Sequence, residues 1–234
     1  MFLLAALAAA VLASAVRAQD GASFDAEMEV LAKSWAHVNY EIKDPRAEAL
    51  EAESFAARAD ALARAHPGRA EPLAWQALFI LCDADARHDF RSLDLARAAR
   101  HLLERAAKID PNAIGPGTIH ANLGSLYAQL PGFPLSFGDL DKARKYLVKA
   151  LAESPDGLDS NYFYGDLLYR QGDAAEAIRF LQKALAAPAR PARSLADSGR
   201  KWEATQLMAK IRRKSRDLDD RPGAAAGSRR SSGQ

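Results

Sequence analysis

From Phe24 onward, apolar residues recur every three or four positions, the spacing that lines one face of an α-helix. The pattern predicts helices at 24–42, 46–65, 71–85, 92–109, 116–129, 139–153, 159–170, 174–186 and 192–213. The breaks have local causes. Asp44-Pro45, His66-Pro67-Gly68, Asp110-Pro111-Asn112, Pro131-Gly132, Pro155-Asp156-Gly157, Gly172-Asp173 and Pro188 each disfavour helix continuation. Strand-like alternation is absent throughout, and alanine is abundant inside the segments, so the chain reads as all-α.

Three of these segments repeat one another. Gly165, Gly172, Ala177, Leu181 and Ala184 follow at intervals of seven, five, four and three, and Gly138, Ala143, Leu147 and Ala150 repeat the last three, with Pro155 five later. Ala99, Leu103, Ala106 and Pro111 carry the same register further back. Ala143 and Ala177 lie 34 residues apart. First helices align too: Trp75 and Leu78, then Leu123, Gly124 and Tyr127, then Tyr164, Gly165 and Leu168. This arrangement resembles the tetratricopeptide repeat, whose period is 34 residues. The resemblance implies a right-handed superhelical solenoid of antiparallel helix pairs, with 24–66 as a divergent fourth pair. Small residues would let paired helices approach, and pairs that cannot bury their faces alone would stack. The last helix, carrying Trp202, Leu207, Met208 and Ile211, would form a C-terminal capping helix.

Two stretches exceed the family spacing. Cys82 to Ala99 spans seventeen residues and Tyr127 to Ala143 sixteen, where nine are expected, so the surplus falls at Arg87-His88-Asp89-Phe90-Arg91 and at 131–137. Phe133 and Phe137, set between and beyond two prolines, are candidates for an insertion lip that either packs on the parent helices or meets a partner. The repeat geometry also assigns a binding groove to the first helices, with Gln76, Asn122, Ser125, Gln129, Tyr162, Asp166, Tyr169 and Arg170 facing outward. Amides, hydroxyls and aromatic rings in that combination suit an extended peptide or a small polar ligand. The family's clamp for peptide carboxylates is matched by Asn122 alone, since Phe163 stands at the corresponding place in the next repeat.

Composition narrows the partners. In 234 residues, 49% hydrophobic and 26% charged, the formal net charge is only +2, which gives no overall attraction to nucleic acid. The run from Phe2 to Ala15 is unbroken by charge, and Val16-Arg17-Ala18 places small residues where a signal peptidase cuts. No Lys or Arg precedes that run. The expected organisation is a signal peptide at 1–18, a helical-repeat domain at 19–213 and a disordered Gly/Ala/Ser/Arg tail at 214–234. The leader is short for a permanent anchor, so no membrane span is expected after cleavage, and the protein is expected to be periplasmic or secreted. Cys82, the single cysteine, reads as a buried apolar residue.

Catalytic spacing is missing. The five histidines (His37, His66, His88, His101, His120) form no paired metal motif, and neither a phosphate-cradling glycine loop nor a nucleophile elbow occurs. His88-Asp89 is the one His/Asp neighbour pair, and adjacency alone does not orient it as a dyad. No cofactor, metal or enzymatic activity is expected. The leader, the repeats and the Leu130 to Asp139 insertion together also resemble the periplasmic T-component proteins of TRAP transporters, which partner a solute-binding protein. Two functional readings follow. One is an envelope scaffold that binds a protein or peptide; the other is a transport accessory that binds a small ligand and a solute-binding partner.

Overall fold

The structure is a computed structural model that describes residues 2–87 and 89–219, with side chains described for 21–87 and 89–216. Cleavage after Ala18, His88, and the tail beyond Asp219 fall outside the described side chains. The helices are α1 (Phe2–Tyr40), α2 (Pro45–Ala65), α3 (Glu71–Arg87), α4 (Arg91–Ile109), α5 (Thr118–Gln129), α6 (Leu140–Glu153), α7 (Leu158–Arg170), α8 (Ala174–Ala186) and α9 (Ser194–Asp219), with a 3-10 turn at Pro191–Arg193. The described residues contain no strand. The chain divides into two compact units, Met1–Asp110 and Pro111–Gln234.

In the first unit α1 packs on α2 and α3, α2 on α3, and α3 on α4. Asp44 accepts a hydrogen bond from the Ala47 amide and Pro45 occupies the first turn, which together fix the start of α2. Ala49, Ala52, Ala56 and Ala59, spaced three and four apart, turn one small-residue face of α2 inward. Larger side chains fill what remains: Phe55 stacks on Phe79 at 5.2 Å, and Trp35 tilts against Trp75 at 6.3 Å. Cys82 is buried there, as its sequence context suggested, and burial pushes its thiol well above the ordinary range. At the first surplus stretch α3 runs to Arg87 and α4 opens at Arg91, so the connection between the two helices is short.

The second unit pairs α5 with α6 and α7 with α8, and α9 packs on both α7 and α8. The positions that carried the repeat are its innermost. Ala143, Leu147, Ala150, Ala177, Leu181 and Ala184 are all at 0% exposure. Gly124 and Gly165 show why small residues sit on the facing helices. A Cβ at Gly124 would stand 2.5 Å from Leu147 Cγ, and one at Gly165 would stand 3.2 Å from the Ala177 carbonyl. Asp139 and Asp173 cap α6 and α8 through side-chain acceptance of backbone amides. The expected capping helix is present: Ala204, Met208 and Ile211 pack with Leu168, Ala177 and Leu181, while Trp202 turns out to solvent. It continues to Asp219, past the expected end at 213, because no Gly or Pro intervenes before Pro222.

Candidate interaction surface

Of the residues assigned to the groove, Gln76 belongs to the first unit and lies half-buried on α3, while the others belong to the second. On α5, Asn122 donates to the Thr118 carbonyl at 2.9 Å, and Gln129 donates to the Ser125 hydroxyl at 2.7 Å. On α7 the chain itself covers much of the assigned face. Arg200 of α9 lies 4.9 Å above the Tyr162 ring, and Lys210 and Lys214 lie 5.7 and 5.6 Å from Tyr169. Burial raises the Tyr162 hydroxyl well above its ordinary range, with Glu203 beside it. Asp166 is buried and accepts from Arg170 at 2.7 Å, so each satisfies the other.

The two candidate lip residues divide. Phe137 is half-buried and sets its ring edge-on to Tyr127 at 5.4 Å, whereas Phe133 is 94% exposed and Leu135 68%. The loop that carries them is tightly held. Leu135 and Ser136 both donate to the Gly132 carbonyl at 3.1 and 3.2 Å, Gly138 donates to Pro131 at 2.9 Å, and Asp139 donates to Tyr127 at 2.8 Å. Only glycine fits at 138, where a Cβ would stand 1.9 Å from the Leu130 carbonyl oxygen. The apolar side chains are therefore displayed by fixed backbone rather than by a slack segment.

From Phe137 an aromatic ladder runs along the α5–α6 pair. Tyr127 stacks on Tyr146 at 5.6 Å and 12°, and Tyr146 stacks on His120 at 6.0 Å. Buried His120 is fixed by Glu153, whose two carboxylate oxygens lie 2.8 and 2.9 Å from Nδ1. Beside this ladder is a cavity of about 710 Å³, lined by Tyr127, Lys142, Arg144, Lys145, Tyr146, Val148 and Lys149. Lys142 Nζ lies 5.5 Å from the Tyr127 ring and Lys149 Nζ 5.7 Å from Tyr146.

A second charged cluster ties α7 to the 3-10 turn and α9. Arg190 bonds Asp197 at 2.6 Å and Asp159 at 3.1 Å, and Arg200 bonds Asp159 at 3.1 Å and Glu203 at 2.5 Å. Burial alone would raise the Asp159 carboxyl, but the Arg200 and Arg190 guanidiniums outweigh it and hold the group below the usual carboxylate range. Arg193 donates to the Ile114 carbonyl at 3.2 Å, and burial lowers its pKa. Among the described residues, no group of His, Cys, Asp and Glu side chains could hold a metal ion. Neither the charged cluster nor the ladder was singled out from the sequence. Lys142, Lys145 and Lys149 share one helical face at spacings of three and four, a signal that helical periodicity offers. The pairs from Asp159 to Arg190 and Arg200 span distances along the chain that no local pattern reports.

Antiparallel helix pairs, small residues where those helices approach and a terminal covering helix make up a fold of the tetratricopeptide type. Residues 135–196, from the loop through α6, α7 and α8 into α9, match the tetratricopeptide repeat family model. The fold is similar to the crystal structure of a thermophilic TPR protein from Thermus thermophilus, with a TM-score of 0.50 and 19% identity, covering 82% of this chain and 95% of that one. At that identity the likeness concerns the fold. No curated protein matches the sequence.

Proposed function

We propose that this protein is an exported scaffold that binds another protein in the cell envelope through the second unit. The observation that carries this reading is the pinned loop between α5 and α6, which holds Phe133 and Leu135 out in water. Solvating those side chains is unfavourable, and a fixed loop loses little conformational entropy when a partner covers them. An apolar anchor surrounded by polar groups is the usual make-up of an interface hot spot. Stacked helix pairs of this type present extended surfaces that serve as binding platforms.

Export rests on the leader, the uncharged run from Phe2 to Ala15 and the small residues before Gln19. Among the described residues no helix is long and apolar enough to cross a membrane. Intact mass and pull-down from a periplasmic fraction test both parts. The mature chain is expected to begin at Gln19, and the protein it captures should be lost from a Phe133→Ser/Leu135→Ser variant. Retention of Met1 in that fraction contradicts export, and equal capture by both forms contradicts the loop's role.

A further inference from the structure

We propose that the face of α6 bearing Lys142, Lys145 and Lys149, floored by Tyr127 and Tyr146, binds an acidic segment of a partner protein in which an apolar side chain lies between carboxylates. The proposal rests on the interaction reading above and adds the chemistry of the partner. Lys142 to Lys149 is a row about 10 Å long at the rise of an α-helix. An extended chain covers that length in about three residues, so carboxylates near both ends of such a stretch reach both ends of the row. Among the described residues, neither Lys145 nor Lys149 makes an ion pair, and Lys142 has only Asp139 at 3.7 Å. Four arginines of the unit are matched by carboxylates: Arg170 by Asp166, Arg179 by Glu176, and Arg190 and Arg200 by Asp159.

The aromatic floor decides between classes of anion. The Tyr146 ring stacks with both Tyr127 and His120 and has the Lys149 ammonium over it, and Tyr127 is only 5% exposed. Stacking a nucleotide base needs a free ring face, which this ladder does not offer. What it offers is a cavity of about 710 Å³ with a half-exposed Val148 at its margin, room for an apolar side chain between charged neighbours. Charge at the rim draws the segment in and the apolar contact retains it. The row lies on a second helix of a pair, away from the first-helix positions to which the repeat pattern assigned binding.

The test is fluorescence anisotropy with the full chain and a short labelled peptide that alternates Glu with Leu. Binding should weaken as salt rises and fall on the order of ten-fold or more in Lys145→Glu/Lys149→Glu. The milder Lys145→Ala/Lys149→Ala should lose less and keep the same circular dichroism spectrum. The same peptide with Lys in place of Glu, and a single-stranded oligonucleotide, should bind no better to the wild type than to the charge-reversed form. The proposal is overturned if the acidic peptide does not bind, if the oligonucleotide binds more tightly, or if succinate displaces the peptide and so marks a small-acid site. Concentration-dependent self-association that disappears in the charge-reversed variant would make a second copy the occupant and overturn it equally. Peptide binding lost in Phe133→Ser/Leu135→Ser but kept in the lysine variants would overturn the α6 surface and leave the scaffold reading standing.

Discussion

Two charged surfaces of the second unit use the same residue types to opposite ends. At the junction of α7 and α9, Asp159, Asp197 and Glu203 meet Arg190 and Arg200 at hydrogen-bonding distances, and the cluster is largely closed to water. On α6 the lysines are exposed and, at 145 and 149, have no ion-pair partner among the described residues. The first arrangement uses its charge to hold the covering helix to the repeats. The second leaves its charge to the solvent beside a cavity. Whether a cation serves the fold or a partner is decided by what stands within a few ångströms of it, and a residue count cannot separate the two.

The sharpest way to break that contrast is Asp159→Ala. Removing the carboxylate leaves Arg190 and Arg200 short of a partner in a poorly solvated place, and about 3 kcal/mol of stability should be lost in urea unfolding. A loss below about 1 kcal/mol would place the cluster with ordinary surface pairs. The pH dependence has a definite sign. The Asp159 carboxyl is held below its ordinary value in the fold, so its contribution is fully present above the unfolded value, near ~3.9. It is lost as pH falls through the lower folded value. The urea midpoint should thus decline on the acid side more steeply in the wild type than in Asp159→Asn, and parallel declines would contradict the assignment.

Next in size is Ala177→Leu, which drives a larger side chain into the junction where even a Cβ at Gly165 would stand 3.2 Å from the Ala177 carbonyl oxygen. It should cost roughly 1 to 3 kcal/mol by overpacking. An unchanged melting temperature would mean that α7 and α8 do not meet there. The smallest effect on stability belongs to Lys145→Glu/Lys149→Glu, expected within about 0.5 kcal/mol of the wild type, as for exposed substitutions away from structural contacts. A larger loss would show that these lysines also serve the fold.

Much of the architecture is legible in the chain because a helical period repeats many times and each break has a residue that causes it. The register of Ala143, Leu147 and Ala150 against Ala177, Leu181 and Ala184 places the innermost positions correctly, since small residues there answer a steric demand visible at Gly124 and Gly165. The surface was harder to read. The surplus around 87–91 is met by α3 running to Arg87 and α4 opening at Arg91, while the surplus at 131–137 forms a loop, and the difference lies in Pro131, Gly132 and Pro134, which disfavour helix in the second case. Tyr162 and Tyr169 occupy the face assigned to a ligand, yet α9 lies over both. That contact depends on how a distant helix returns, which repeat spacing within α7 does not encode. Similarly, His120 and Glu153 meet across one helix pair with no local motif to join them.

The most direct test compares the melting temperatures of Phe133→Ser and Phe137→Ser. If the loop displays one ring for a partner and uses the other as its anchor, the first change should shift the midpoint by no more than about 1 °C. The second should cost about 1 kcal/mol of aromatic packing against Tyr127, a fall of a few degrees. Equal falls for both would mean that Phe133 is packed in solution, and the loop would then belong to the fold alone.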